Sequence, residues 1–204
     1  VAAPRLRRLA LAAATVTTAI CAGGSPALAH THAHGRGRAH GLGAHHACAN
    51  TQLMPTARNL TLIRGATLCL INRERAAHGE RPLRPNRRLR RAAQSHTESM
   101  AFGDYFEHTG PRGGTPLTRM RAAGYISSRS SYEVGENIAW GTLSLATPRA
   151  IVAAWMGSPP HRANILDPHY RETGIGVSPH PPSSLAHGQS GAIYTQDFGV
   201  IIGR

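Results

Sequence analysis

The stretch "TPRAIVAAWMGSPPHRANIL", Thr147 to Leu166, holds two helix starts and one helix stop. Thr147 offers a side-chain cap, Pro148 suits the first helical position, and Gly157 stands where a helix would end. Between them Ile151, Val152 and Trp155 fall on one face at helical spacing. Ser158 then offers a second cap, and Pro159 and Pro160 open a short helix that carries His161. Whether this punctuation serves only the backbone, or also places His161, turns on the rest of the chain.

Upstream, Leu60, Ile63, Thr67, Leu70 and Ile71 recur at helical spacing and predict a helix closed by Gly79. "RPNRRLRRAAQSHTESMAFG" reads as a second helix, with Leu89, Ala93, His96 and Met100 on one face. His96 is therefore expected to be a core histidine bonded to backbone. "TPLTRMRAAG" is a third, short helix running from Thr115 to Gly124. "YEVGENIAW" and "ETGIGVSP" read as strands. In the second, Ile175 and Val177 share one face while two glycines mark a close approach on the other. "GAIYTQDFGVII" is apolar nearly throughout, as a central strand covered on both sides would be. "HPPSSLAHGQSG" reads as the loop between these last two strands. Helices before and around a small sheet of late strands predict an α+β sandwich.

The chain has 204 residues, a formal net charge of +13 and no lysine, so all 23 basic residues are arginine. Six of the arginines fall between Arg81 and Arg91, as a solvated helix face or as a contact for an anionic wall polymer or lipid. Aromatic residues make up 5%, which argues against a nucleic-acid surface built on stacked bases.

Residues 1–29 read as a secretory signal: Arg5, Arg7 and Arg8, then the apolar run Leu9 to Ala22, then a small-x-small site ending at Ala29. Cleavage there would leave a secreted, extracellular chain with no stable membrane span. Two cysteines would remain, Cys48 and Cys69, either as a disulfide or as two free thiols. Residues 30–55 read as a disordered linker whose start, His30 to His46, holds six histidines and reads as a solvated tail or a Zn²⁺ or Ni²⁺ binder. The folded domain is expected over 56–204.

Familiar catalytic signatures are absent: no HExxH, no GxSxG, no Walker loop, no EF-hand loop. Three stretches carry chemistry instead: His108 in "YFEHTG", Glu136 in "GENIAWG" and His161 in "SPPHRANIL". A carboxylate among apolar residues needs a partner, and histidine is a cheap one that still titrates near neutral pH. Gathered at one cavity, His108, Glu136 and His161 would also be a three-ligand Zn²⁺ site with an open position for water. Their spacing along the chain cannot bring them together, and three separately satisfied polar residues is the alternative.

"CLINRERAAHGERPLRPNRRLRRAAQSHTESMA", "YFEHTG", "RMRAAGY", "GENIAWG", "AWMGSPPHRANIL", "RETGIGV" and "YTQDFG" occur in the order and spacing of the CAP superfamily, or SCP domain. The chain resembles its bacterial secreted branch over about residues 60 to 200. The resemblance implies a three-layer α-β-α sandwich with a cleft that, in eukaryotic members, holds two histidines and two glutamates able to bind a divalent metal. The first histidine matches His108 and the "GEN" glutamate matches Glu136. The second glutamate falls near Ser158 and the last histidine on Ile193, so both are missing here. His161 then stands as the compensating histidine, with Asn137, Ser158, Tyr194 and Gln196 as polar wall candidates. The resulting N,N,O set suits Zn²⁺ or no metal better than a hard cation.

Three functions follow. A monomeric secreted binding module would hold a small ligand, a lipid, a metal or a cell-envelope component in the cleft. An extracytoplasmic hydrolase would use Glu136 with His108 or His161, with or without a metal. A structural envelope domain would use the same residues only to satisfy buried polar groups.

Overall fold

The structure is a computed structural model that describes residues 47–203. The expected signal segment and the histidine tract lie outside the described residues. The four-stranded sheet has the order β1-β3-β4-β2, formed by Arg84–Pro85 (β1), Ser131–Thr142 (β2), Glu172–Ser178 (β3) and Gly191–Gly203 (β4). The two-residue β1 pairs parallel with β3, while β4 runs antiparallel to both β3 and β2. The apolar late segment thus occupies the central position its composition predicts.

Helices cover both faces. On one side lie Arg87–Gly103 (α2) and Pro116–Ala122 (α3). On the other lie Leu60–Ala77 (α1), Pro148–Gly157 (α4) and Pro159–Leu166 (α5). Ile63, Leu70 and Ile71 of α1 and Ile151, Val152 and Trp155 of α4 bury against Ile175, Val177, Tyr194 and Phe198 of the sheet. On the opposite face Met100 of α2 packs on Ile138 and Ile193. This is the α-β-α sandwich, and its two cores follow from the strand alternation of β4.

Capping explains the helix boundaries. The Asn86 side chain accepts from the Arg88 and Leu89 amides, and Thr115 and Thr147 do the same for α3 and α4. Gly79, at φ +77°, turns the chain out of α1. The loop expected between β3 and β4 holds one helical turn, Ser183–Ala186 (α6), ended by His187 and Gly188 at positive φ.

The glycines of β3 let α2 sit directly on the sheet. A Cβ at Gly174 would stand 2.0 Å from the Arg90 nitrogen, and one at Gly176 would stand 2.5 Å from the Ala93 carbonyl carbon. Beyond β1 no strand among the described residues pairs with the outer edge of β3, and the Gln94 amide takes that place at Val177. Its oxygen accepts from the Val177 N–H at 3.0 Å and its nitrogen donates to the Val177 carbonyl at 3.1 Å.

The folded part reaches back beyond Thr56. Cys48 and Cys69 form a disulfide with Cα atoms 5.7 Å apart, which ties this segment to α1. Thr51 is buried and its carbonyl accepts from the Arg149 amide. Residues 48–55, expected as linker, are therefore part of the domain: a covalent link and a backbone bond fix what composition alone left open. No helix among the described residues is long and apolar enough to cross a membrane.

Two glycine substitutions should act in opposite directions. Gly174→Ala should lower the unfolding free energy by about 3 kcal/mol, because its methyl meets backbone that cannot yield. Gly65→Ala, mid-helix with nothing within 4 Å of its Cβ, should raise it by about 1 kcal/mol. Urea unfolding of the two variants checks both.

Candidate functional site

Glu136 lies on β2, directly opposite Asp197 of β4, with Gly174 of β3 beyond. These three positions face α2, so the carboxylate enters the layer between sheet and helix, where its side chain is 1% exposed. A charge there requires partners. His108 Nδ1 lies 2.9 Å from Oε1, and Arg119 Nη2 donates to Oε2 at 2.6 Å. The same guanidinium donates to the carbonyls of Gly114 at 2.7 Å and His108 at 3.0 Å, so it fixes both the carboxylate and the histidine that meets it.

Burial pushes the Glu136 carboxyl up, but the His108 bond and the Arg119 charge outweigh it and hold the group below the ordinary carboxylate range. Asp197 goes the other way. It is fully buried, no N–H or O–H among the described residues reaches its oxygens, and burial together with the Glu136 charge pushes it well above the carboxylate range. Asp197 is therefore the member of the pair that favours its proton, beside a Glu136 that favours the ionised form.

His96 behaves as its helix face predicts: it is buried, and Nε2 meets the Glu107 carbonyl at 2.9 Å. Its Nε2 is also 3.9 Å from Glu136, a proximity that helical spacing does not reveal. Burial lowers its pKa to about 4.

His161 arrives from the opposite layer, on α5. Its Nδ1 lies 2.7 Å from the Ser158 hydroxyl. Ser158 occupies the N-cap position but makes no side-chain cap bond, contrary to expectation. Pro159 and Pro160 have no N–H to offer at the first two helical positions, and the hydroxyl meets the His161 imidazole rather than the His161 N–H at the third. Burial, then the nearby His108, lowers the His161 pKa, which favours the neutral ring. Asn164, one turn on, donates to the Glu136 carbonyl at 3.2 Å and to Asn137 Oδ1 at 2.9 Å, while Asn137 donates to the His161 carbonyl at 3.1 Å. These bonds pin α5 along the outer edge of β2. Gly135 makes room beside them, since a Cβ there would meet the Tyr170 hydroxyl at 2.5 Å.

The sequence candidates therefore separate. His108 and Glu136 meet directly. His161, Ser158 and Asn137 form a second group across the edge strand. Tyr194 and Gln196 do not line an opening. Both are 0% exposed on the α1 and α4 side of β4, with the Tyr194 hydroxyl on the Ala146 carbonyl at 2.8 Å and the Gln196 amide on Thr173 Oγ1 at 3.2 Å. Adjacent strand residues point to opposite faces, so Gln196 turns away where Asp197 turns in. Ile193, where the resemblance expects a histidine, is buried against Met100 and Ile138. Arg119, Asp197 and Asn164 are the residues that sequence reasoning missed. Only Asp197 left a signal, as a lone acid in a strand otherwise apolar enough to be covered on both sides.

A metal does not fit at Glu136. Each carboxylate oxygen already has a partner, and one of these is a guanidinium whose charge repels a cation. Among the described residues, the group whose ligand atoms all lie within 4.8 Å of one another is Glu133, Asp167 and His169. This cluster, able in principle to coordinate a metal, lies on the surface between β2 and the end of α5. His169 Nδ1 is 2.9 Å from Asp167 Oδ1 and 3.7 Å from Glu133 Oε2.

The profile of the CAP family, described as the cysteine-rich secretory protein family, matches residues 68–198. The chain belongs to that family. It is 36% identical to the uncharacterized protein YkwD of Bacillus subtilis over 129 residues, 63% of this chain and 44% of that one. It is 30% identical to the uncharacterized membrane protein YlbC of the same organism over 110 residues, 54% of this chain and 30% of that one. The chain thus spans less than half the length of either curated relative. An extracellular SCP-domain protein of Bacillus anthracis superposes with a TM-score of 0.55 at 24% identity, covering 71% of this chain and 43% of that one. An outer surface protein of Borrelia burgdorferi gives the same TM-score at 17% identity, covering 72% and 96%. These likenesses are to the fold.

His96 should make the domain acid-sensitive. Unfolded histidine takes a proton below about pH 6.5, whereas folded His96 stays neutral until about pH 4. The unfolded state therefore binds more protons across that window, and stability falls as pH drops through it. The loss from His96 should be on the order of 3 kcal/mol. Denaturant unfolding at pH 7 and pH 4.5 should show a smaller drop in His96→Gln than in the parent chain.

Proposed function

We propose that this is an extracytoplasmic binding domain whose recognition site is the His108–Glu136 face together with His161. The observation that carries it is the saturation of Glu136. With Nδ1 on the carboxylate, His108 keeps Nε2 free of partners among the described residues on a ring that is 25% exposed. The carboxylate and the arginine orient the imidazole and leave it to meet a ligand. Because a guanidinium and two imidazoles surround one carboxylate, the ligand is read as a small neutral or anionic polar group rather than a cation. Fragments of a cell-envelope saccharide-peptide, with hydroxyls and carboxylates, have that chemistry. The disulfide supports a place in an oxidising compartment.

The Zn²⁺ role belongs, in this reading, to Glu133, Asp167 and His169. One imidazole nitrogen and two carboxylate oxygens suit a borderline cation.

Hydrolysis is the second reading, favoured by the same bond. A buried carboxylate on histidine Nδ1 fixes the tautomer and supports the ring as a general base.

Titration of soluble peptidoglycan fragments, followed by imidazole NMR shifts, tests the binding reading. His108→Ala should weaken binding about tenfold, the worth of one good hydrogen bond to a polar ligand. Equal affinity in the variant overturns the reading. Release of cleaved fragments by the parent chain but not by Glu136→Gln would establish the hydrolase instead. In Zn²⁺ calorimetry, His169→Ala should lose a site that His108→Ala keeps; the reverse would return the metal to the cleft.

A further inference from the structure

The outer face of α2 carries a second feature that the cleft does not use. Arg87, Arg90 and Arg91 are exposed and, with Gln94, Ser95 and Glu98, line a groove of about 320 Å³. The Arg64 guanidinium of α1 feels Arg90 from across the open edge of β3. Burial, then the Arg90 charge, lowers its pKa.

This concentration of charge is uncompensated. The arginine ion pairs among the described residues are Arg75–Glu80 and Arg119–Glu136, and none involves Arg64, Arg87, Arg90 or Arg91. Arg87 stands one helical turn from both Arg90 and Arg91, a spacing at which like charges repel. The first turn of α2 contains no acid, although the positive end of the helix dipole favours one there. The one carboxylate of the groove, Glu98, accepts from the Gln94 amide at 2.9 Å. Gln94 is itself fixed to the Val177 backbone, so the floor between the arginines is rigid.

We propose that this groove binds a linear phosphodiester chain of the polyol-phosphate type, laid along α2 with successive phosphates on Arg87, Arg90 and Arg91. Guanidinium forks match phosphate oxygens in pairs, and each contact relieves the repulsion between neighbouring arginines. No large apolar side chain lines the groove, so it lacks the wedge that a membrane surface would bury. Aromatic rings for base stacking are absent from it as well. The site is independent of the His108 face.

The test is fluorescence anisotropy of a labelled synthetic oligo(glycerol phosphate) with the full chain, across a range of salt. Arg87→Gln/Arg90→Gln/Arg91→Gln should weaken binding about tenfold or more, and should lower the slope of log affinity against log salt by about 2. Arg129→Gln/Arg149→Gln/Arg162→Gln removes the same net charge elsewhere and should leave both within about twofold. Equal losses in the two triple variants would show a diffuse charge effect and overturn the proposal. So would tighter binding to single-stranded DNA of equal phosphate number, or binding only to phosphatidylglycerol vesicles. His108→Ala should leave the oligomer affinity unchanged. A loss there would place the polymer in the cleft and sink this inference while sparing the cleft reading.

Discussion

One ionised carboxylate, buried between a sheet and a helix, organises this domain. Glu136 cannot keep its charge in that layer alone. Arg119 from α3 and His108 from the segment after α2 must therefore come to it, and Asp197 beside it must keep its proton. That requirement links four separate parts of the chain at one point. It also decides the character of the site. A buried ion pair of this kind contributes little net stability after desolvation, yet removing one partner leaves the other charge stranded. The arrangement therefore fixes geometry more than it adds to stability, and the geometry it fixes is that of the His108 ring.

The fold was largely legible because its signals are local. The caps at Thr115 and Thr147 announced their helices. The apolar run of β4 announced a covered strand, and Gly174 and Gly176 announced a close approach that α2 makes. The ordered motifs of the CAP resemblance supplied the layer arrangement that such local signals cannot.

The site was less legible, for two physical reasons. Arg119 looks from sequence like any exposed helix charge, and only the folded chain brings it to a carboxylate 17 residues away. Tyr194 and Gln196 looked like wall residues because they neighbour the right motif, but strand alternation turns them into the other core. Ser158 read as a cap by its position. In the folded chain its hydroxyl makes no cap bond and meets the imidazole of His161 instead.

Each margin of the sheet has a backbone position taken by a side chain, by different means. Along β2, Asn164 of α5 occupies the Glu136 carbonyl. Along β3, the Gln94 side chain occupies the N–H and C=O of Val177, as a neighbouring strand would. A bare margin invites another chain to add itself as an extra strand, which is one route to misassembly. With these backbone groups taken, the template is interrupted at Glu136 and at Val177. A strand added across either position would first have to displace a side chain already bonded.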